Sequence, residues 1–173
     1  MTSGNLVRTI AISCLLVGAQ TGAAMAAGCG DGLLWNETFD SLRITDDNCS
    51  VIGCTVRGDI VVINVDHILL MNNKVGGEIR VDGNTGFGTA NVIANNVFGG
   101  RIVVREHEEA NVIENETLSA AAGNIEVNDN ARALVQKNIS SKNLVCLSNS
   151  DLDSFINFAA GTERCPGGRD KKR

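Results

Sequence analysis

The stretch Gly58-Asp59-Ile60-Val61-Val62 is the first of five copies of one short phrase, and these copies decide the fold of the chain. The other copies are Gly77-Glu78-Ile79-Arg80-Val81, Gly100-Arg101-Ile102-Val103-Val104, Gly123-Asn124-Ile125-Glu126-Val127 and Lys142-Asn143-Leu144-Val145-Cys146. They begin at positions 58, 77, 100, 123 and 142, so successive copies are 19, 23, 23 and 19 residues apart. A period in this range indicates a solenoid, in which each repeat stacks on the one before it.

Each repeat carries two apolar runs, of which the quoted phrase is the first. The second runs are Ile68-Leu69-Leu70, Val92-Ile93-Ala94, Val112-Ile113-Glu114 and Leu134-Val135-Gln136, and Asn residues follow them. Short runs that are rich in β-branched residues and bounded by Gly or Asn are typical of β-strands.

Alternation along the first run separates a core face from an outer face. The predicted core positions are Ile60, Ile79, Ile102, Ile125, Leu144 and, two residues after each, Val62, Val81, Val104, Val127 and Cys146. The predicted outer positions between them are Val61, Arg80, Val103, Glu126 and Val145. Because every copy runs in the same sense, hairpins cannot bury the core face, whereas a parallel β-helix buries it by making one turn per repeat. We expect the Asn residues to lie at the corners of the coils, with their amides stacked from coil to coil.

Several motifs resemble those of short secreted bacterial proteins of the right-handed parallel β-helix class. They are Cys49 with Thr55-Val56 and Gly58, the Asn-x-x-Gly-Gly-x-Ile-x-Val phrases, and Asn143-Leu144-Val145-Cys146 followed by Gly161-Thr162-Glu163-Arg164-Cys165. The resemblance covers residues 42–166 and implies an all-β, right-handed parallel β-helix of about five to six coils. It also implies a disulfide between Cys146 and Cys165. These relatives are mostly uncharacterised, so the resemblance implies little about function.

The N-terminal residues 1–26 have the features of a signal peptide. Arg8 supplies a positive charge, an apolar stretch follows, and Ala24-Met25-Ala26 is an Ala-x-Ala cleavage site. The apolar stretch is too short to span a bilayer, so the sequence predicts no transmembrane segment. We therefore expect a protein that is secreted, periplasmic or displayed on the cell surface.

The coils of residues 42–149 need covers at both ends, because a solenoid has open apolar ends. We predict an N-terminal cap over residues 27–41 and a C-terminal cap over residues 150–166, followed by a disordered basic tail over residues 167–173. Trp35 belongs to the first cap, and the alternative interpretation is that it marks a ligand-binding aromatic.

Cysteine usage supports export. Of six cysteines, Cys14 falls within the signal, which leaves Cys29, Cys49, Cys54, Cys146 and Cys165. In an oxidising compartment these are expected to form disulfides, and their odd number leaves two interpretations of Cys29. It either carries a lipid anchor at a permissive lipobox, or pairs with Cys49 or Cys54 and leaves one buried thiol. The sequence lacks a Cys-x-x-Cys or Cys/His cluster, so neither a metal nor another cofactor is expected.

The charged residues offer a candidate site of a different kind. The β-helix class includes polysaccharide lyases and hydrolases, which need carboxylates and basic groups for acid–base work. Asp82, Arg105 and His107 are the candidates for catalysis. The competing interpretation is structural, because stacking would set Asp82 beside Arg105, and Glu78 beside Arg101, as cross-strand charge pairs. His67 and His107 are expected at corresponding turns two coils apart, about 10 Å from each other and too far to share a metal.

These observations favour a non-catalytic, secreted or envelope-associated structural or binding module. With 15 basic and 20 acidic residues, the chain lacks the basic footprint of a nucleic-acid-binding protein. Its expected partners are cell-envelope glycans or proteins, and its coil ends could support self-association. The alternative is a small carbohydrate-active enzyme similar to polysaccharide lyases, using the face that carries Asp82 and Arg105.

Overall fold

The computed structural model describes residue 29, residues 32–83 and residues 88–165. The predicted signal peptide of residues 1–26 and the predicted basic tail of residues 167–173 lie outside the described residues. Within the described ranges every regular element is a β-strand, and no helix is present that could span a bilayer.

The strands of the described residues, numbered in chain order, form three parallel sheets of seven strands each. The first sheet contains β1 (Leu33–Trp35), β4 (Cys49–Ile52), β7 (His67–Met71), β10 (Thr89–Ile93), β13 (Glu109–Ile113), β16 (Arg132–Gln136) and β19 (Asp151–Phe155). The second sheet contains β2 (Thr38–Phe39), β5 (Thr55–Val56), β8 (Lys74–Val75), β11 (Asn96–Val97), β14 (Glu116–Thr117), β17 (Ile139–Ser140) and β20 (Phe158–Ala159). The third sheet contains β3 (Leu42–Ile44), β6 (Ile60–Ile63), β9 (Ile79–Asp82), β12 (Ile102–Arg105), β15 (Ile125–Asn128), β18 (Leu144–Leu147) and β21 (Glu163–Arg164).

The chain contributes one strand to each sheet in turn, which makes about seven coils of a parallel β-helix. The predicted all-β parallel β-helix is therefore confirmed, with more coils than the five to six expected. The additional coils come from residues assigned to the caps. Strands β1 and β2 lie in the predicted N-terminal cap, and β19, β20 and β21 lie in the predicted C-terminal cap. These strands extend the same sheets instead of covering them.

The second sheet is the part of each coil that the sequence did not reveal. Two apolar runs per repeat are expected, whereas each coil contains three strands. The missing strand has only two residues in every coil, of which one faces inward, as Val56 and Val75 do. Two residues are too few to display the alternation that identifies a strand.

The predicted core face of the third sheet is confirmed. Its ten inward positions are at most 1% exposed, and they are Ile60, Val62, Ile79, Val81, Ile102, Val104, Ile125, Val127, Leu144 and Cys146. Each stacks on its equivalent in the next coil, as Ile79 does on Ile102. Narrow aliphatic ladders therefore fill the interior, which agrees with an aromatic content of only 3%.

The predicted asparagine ladder is present at the corner between the first two sheets. It comprises Asn73, Asn95, Asn115, Asn138 and Asn157, of which the first four are buried. Each side-chain amide donates to the carbonyl of the next, at 2.9 to 3.1 Å. The residue just before a ladder asparagine in the chain has the left-handed conformation that bends the strand. This residue is Asn72 in one coil and Ala94 in the next.

Two disulfides fasten the ends of the coil stack. Cys146 and Cys165 pair with their Cα atoms 4.5 Å apart, as the resemblance implied. Cys29 pairs with Cys49 at a Cα separation of 5.6 Å, and Cys54 remains a buried free thiol. Of the two interpretations of Cys29, the structure contains the disulfide. A sulfur held in this bond is not available to carry a lipid.

Candidate functional site

The carboxylate of Asp82 lies between two arginines on the outer surface of the third sheet. Its Oδ1 accepts a hydrogen bond from Arg105 Nε at 2.6 Å, and its Oδ2 accepts one from Arg80 Nε at 2.7 Å. Arg105 is the register partner of Asp82 on the adjacent strand, so the predicted cross-strand pair is present. The hydrogen bond that Arg105 donates to Asp82 raises the pKa of Arg105 above its already high value. Both oxygens of this candidate catalytic carboxylate are therefore engaged within the protein.

A second cross-strand pair lies at the other end of the same strands. Arg101 donates from Nε to Glu78 at 3.2 Å and from Nη1 to Glu126 at 3.4 Å. The hydrogen bond to Glu78 has the largest effect on the pKa of Arg101 and raises it. Burial has the next largest effect and lowers it, and the pKa remains above its ordinary value. Val103 lies between the arginine pairs and is only 6% exposed although it faces outward. The stems of long charged side chains commonly shield apolar surface in this way.

His107 does not join Asp82 and Arg105 at the surface. Its side chain is fully buried, and its backbone N–H donates to Asn130 Oδ1 at 3.1 Å. Neither ring nitrogen has a hydrogen-bond partner among the residues that the structure describes. Burial lowers the pKa of His107 to about 4, against smaller raising effects of Asp82 and Asp66. The imidazole is therefore neutral at pH 7. Of the three predicted catalytic residues, Asp82 and Arg105 form an ion pair, and His107 does not take part in it.

The predicted correspondence between the two histidines is wrong. His67 is exposed at the start of β7, and its register partners in the next two coils are Thr89 and Glu109. His107 precedes that position by two residues and belongs to an inner ladder with Asn130 and Asn149. His67 lies nine residues after Gly58, whereas His107 lies seven residues after Gly100, so the two histidines do not occupy the same position of their repeats. No group of three or more potential metal ligands occurs among the described residues.

The outer face of the first sheet carries an apolar row that sequence reasoning missed. We call it the apolar row. It consists of register partners, one from each strand, and they are Trp35, Ile52, Met71, Ile93, Ile113, Gln136 and Phe155. Trp35 is 63% exposed and Phe155 is 38% exposed, while the residues between them are half-buried. Trp35 thus belongs to a strand of the rod and points outward at one end of this row. A signal was available, because Ile93 and Ile113 each follow an inward valine where a polar residue is usual.

A second, mixed row runs beside the apolar row on the same face. It consists of Leu33, Ser50, Leu69, Asn91, Asn111, Leu134 and Asp153. At its centre Asn111 Nδ2 donates to Asn91 Oδ1 at 3.0 Å. A shallow depression of about 220 Å³ next to these residues is lined by Ser50, His67 and Thr89, among others. It is smaller than the 300 Å³ or more of ordinary ligand pockets, so this face is essentially flat.

Charges flank this face without entering its centre. On one side Arg132 contacts Glu108 at 3.2 Å and Glu109 at 3.4 Å. On the other side Lys137 contacts Glu114 at 2.9 Å. An apolar centre with a polar rim is the arrangement of protein interaction surfaces.

Comparison with protein-family models, with curated proteins and with solved structures finds no match to this chain. The class that the fold defines is a small parallel β-solenoid with a disulfide at each end of the described coils.

Proposed function

We propose that this chain is a non-catalytic, secreted or envelope-associated module with a structural or binding role. The observation that carries the proposal is the double engagement of Asp82 by Arg80 and Arg105 on the third sheet. A general base must be free to reach a proton of the substrate. A carboxylate that already accepts two charge-assisted hydrogen bonds is poorly suited to that task.

Export is supported by three independent features. Two disulfides are typical of proteins from oxidising compartments. The sequence of residues 1–26 has the pattern of a signal peptide. The motifs that end in Cys146 and Cys165 resemble those of short secreted bacterial β-helix proteins. A compact rod with fastened ends would persist in an extracellular environment, where its outer sheets could contact envelope glycans or proteins.

The test is a screen of the purified protein against a panel of acidic and neutral envelope glycans. Binding is followed by calorimetry, and eliminative cleavage is followed by the ultraviolet absorbance of unsaturated products. We expect no turnover by the wild-type protein or by Asp82→Ala. The matched control is Asp153→Ala, which removes an exposed carboxylate from a different sheet.

Turnover that is lost in Asp82→Ala and retained in Asp153→Ala would overturn the proposal and assign the protein to the lyases. Binding of a glycan without turnover supports a glycan-binding module. Absence of both binding and turnover supports a structural role or a protein partner.

A further inference from the structure

We propose that two copies of this chain pair face to face through the outer surface of the first sheet, with their coil axes antiparallel. The inference goes beyond the function proposed above, because it concerns a second copy of the chain and not an envelope ligand. It rests on the order of residues along the apolar row, on the polar groups beside the row, and on the area of the face.

The apolar row is similar on the two sides of the central strand of its sheet, except two strands away, where Ile52 lies on one side and Gln136 on the other. Strand β10 is the fourth of seven, and it contributes Ile93 to the row. Three strands away on either side lie the aromatic residues Trp35 and Phe155, and one strand away lie Met71 and Ile113. A two-fold axis along β10 would place Ile93 on its own mate, Met71 on Ile113 and Trp35 on Phe155. A closed dimer needs a self-complementary surface of this kind.

The groups near the axis are compatible with it, whereas at the ends of the mixed row Leu33 would meet Asp153. With this axis, residues at the same position along their strands face each other across the interface. Asn91 and Thr89 of the central strand would therefore each face the same residue of the second copy. His67 and Glu109, one strand to either side, would meet each other. Amide, hydroxyl and imidazole groups can hydrogen-bond across such an interface. The charges of Arg132 and Lys137 are already paired within each copy and would remain at the rim.

The area of the face predicts a reversible dimer. Six strand spacings of about 4.8 Å and a strand length of about 13 Å define a face of roughly 400 Å² on each copy. Two copies would bury roughly 800 Å² in projection, which is below the roughly 1,200 Å² of stable complexes and in the range of weak, transient ones. Packed sheets lie about 10 Å apart, a distance that interdigitating Ile and Met side chains can fill. We therefore expect monomer and dimer to interconvert, with a dissociation constant in the micromolar range or above.

Sedimentation equilibrium over a wide concentration range tests the dimer. We expect Ile93→Lys to raise the dissociation constant at least roughly tenfold, because two ammonium groups would meet at the two-fold axis. The control Val145→Lys makes the same kind of change on the third sheet, where its register partners are Glu126 and Arg164. Circular dichroism and thermal unfolding verify that both variants remain folded. A wild-type protein that stays monomeric to about 0.5 mM, or equal weakening by both variants, would overturn the proposal.

Thiol cross-linking tests the orientation. Ile93→Cys would lie about 10 Å from its mate, so a reagent matched to the sheet spacing should link the two copies. Trp35→Cys would lie about 29 Å from its mate and should not be linked, but should link to Phe155→Cys when the two variants are mixed. Linkage of Trp35→Cys to itself would overturn the antiparallel arrangement. A monomer whose glycan binding is abolished by Ile93→Lys would instead assign the face to a glycan and overturn the dimer.

Discussion

At the scale of single residues, the imidazole of His107 is buried, and within the described part of the chain neither of its ring nitrogens has a hydrogen-bond partner. A buried polar group without a partner reduces stability, and a charged one reduces it far more. The neighbouring carboxylates of Asp82 and Asp66 offset only part of this cost, since the pKa of His107 is still lowered to about 4. Protonation of His107 in acid is therefore expected to destabilise the fold.

We predict that the free energy of unfolding falls as the pH drops from about 6.5 to about 4. Over this range the unfolded chain takes up a proton on His107 while the folded chain does not, so the unfolded state is favoured by acid. A pKa lowered from 6.5 to about 4 corresponds to roughly 3 kcal/mol over the whole range. Chemical denaturation at pH 7 and pH 4.5 measures this loss.

The variant His107→Leu should show a smaller loss of unfolding free energy between the two pH values. The control His67→Leu removes an exposed histidine and should lose as much as the wild-type protein. Equal losses in all three proteins would mean that the carboxylates, and not His107, determine the acid sensitivity.

At the scale of elements, the asparagine ladder joins the first and second sheets in the third to seventh coils. Asn95 is representative: its amide donates to the carbonyl of Leu70 and to Asn115, while its own carbonyl accepts from the backbone and side chain of Asn73. All of these groups are buried, so each one depends on the ladder for its hydrogen bond. The sequence predicted stacked corner amides from the Asn that follows each second run. It could not distinguish the bending residue from the stacking residue, because both lie next to each other and Asn occurs at both.

We predict that Asn95→Ala lowers the free energy of unfolding by about 3 to 5 kcal/mol. The change leaves two or more buried partners unsatisfied, and each costs roughly 1–3 kcal/mol. The control is Asn96→Ala, which removes the neighbouring, outward-facing amide of β11 and should cost less than about 1 kcal/mol. Denaturation of the three proteins measures the difference. Similar losses for the two variants would contradict an essential role of the ladder.

At the scale of the whole molecule, the rod is a one-dimensional stack whose ends are its weakest parts. Each coil contacts only its neighbours, so a terminal coil has one stabilising interface where an inner coil has two. The disulfides are placed at these ends: one joins Cys29 to the second coil, and the other joins the sixth coil to the residue that follows β21. Covalent closure thus compensates for contacts that the terminal coils lack.

We predict that Cys146→Ser/Cys165→Ser lowers the free energy of unfolding by about 3 kcal/mol, from the entropy of the loop that the bond closes. Hydrogen exchange should show the loss first in β18 through β21, and last in the central coils. As a control, Cys54→Ser alters a buried thiol without removing a disulfide, so it should not weaken the last coil selectively. Uniform loss of protection along the rod would contradict fraying from the ends.

The sequence by itself determined that the chain coils, and which face of the third sheet is buried. Phrases that recur in the same sense can bury a common face only by stacking, and alternation within a phrase assigns each side chain to one side. The pairing of Asp82 with Arg105 follows from the same regular spacing. Only the tertiary structure decided the position of His107, the assignment of the terminal segments to full coils, and the apolar row. These depend on the register between coils, which pairs residues that lie far apart in the sequence. The surroundings of a side chain such as Ile93 are set by residues about twenty positions away on either side, which no local pattern contains.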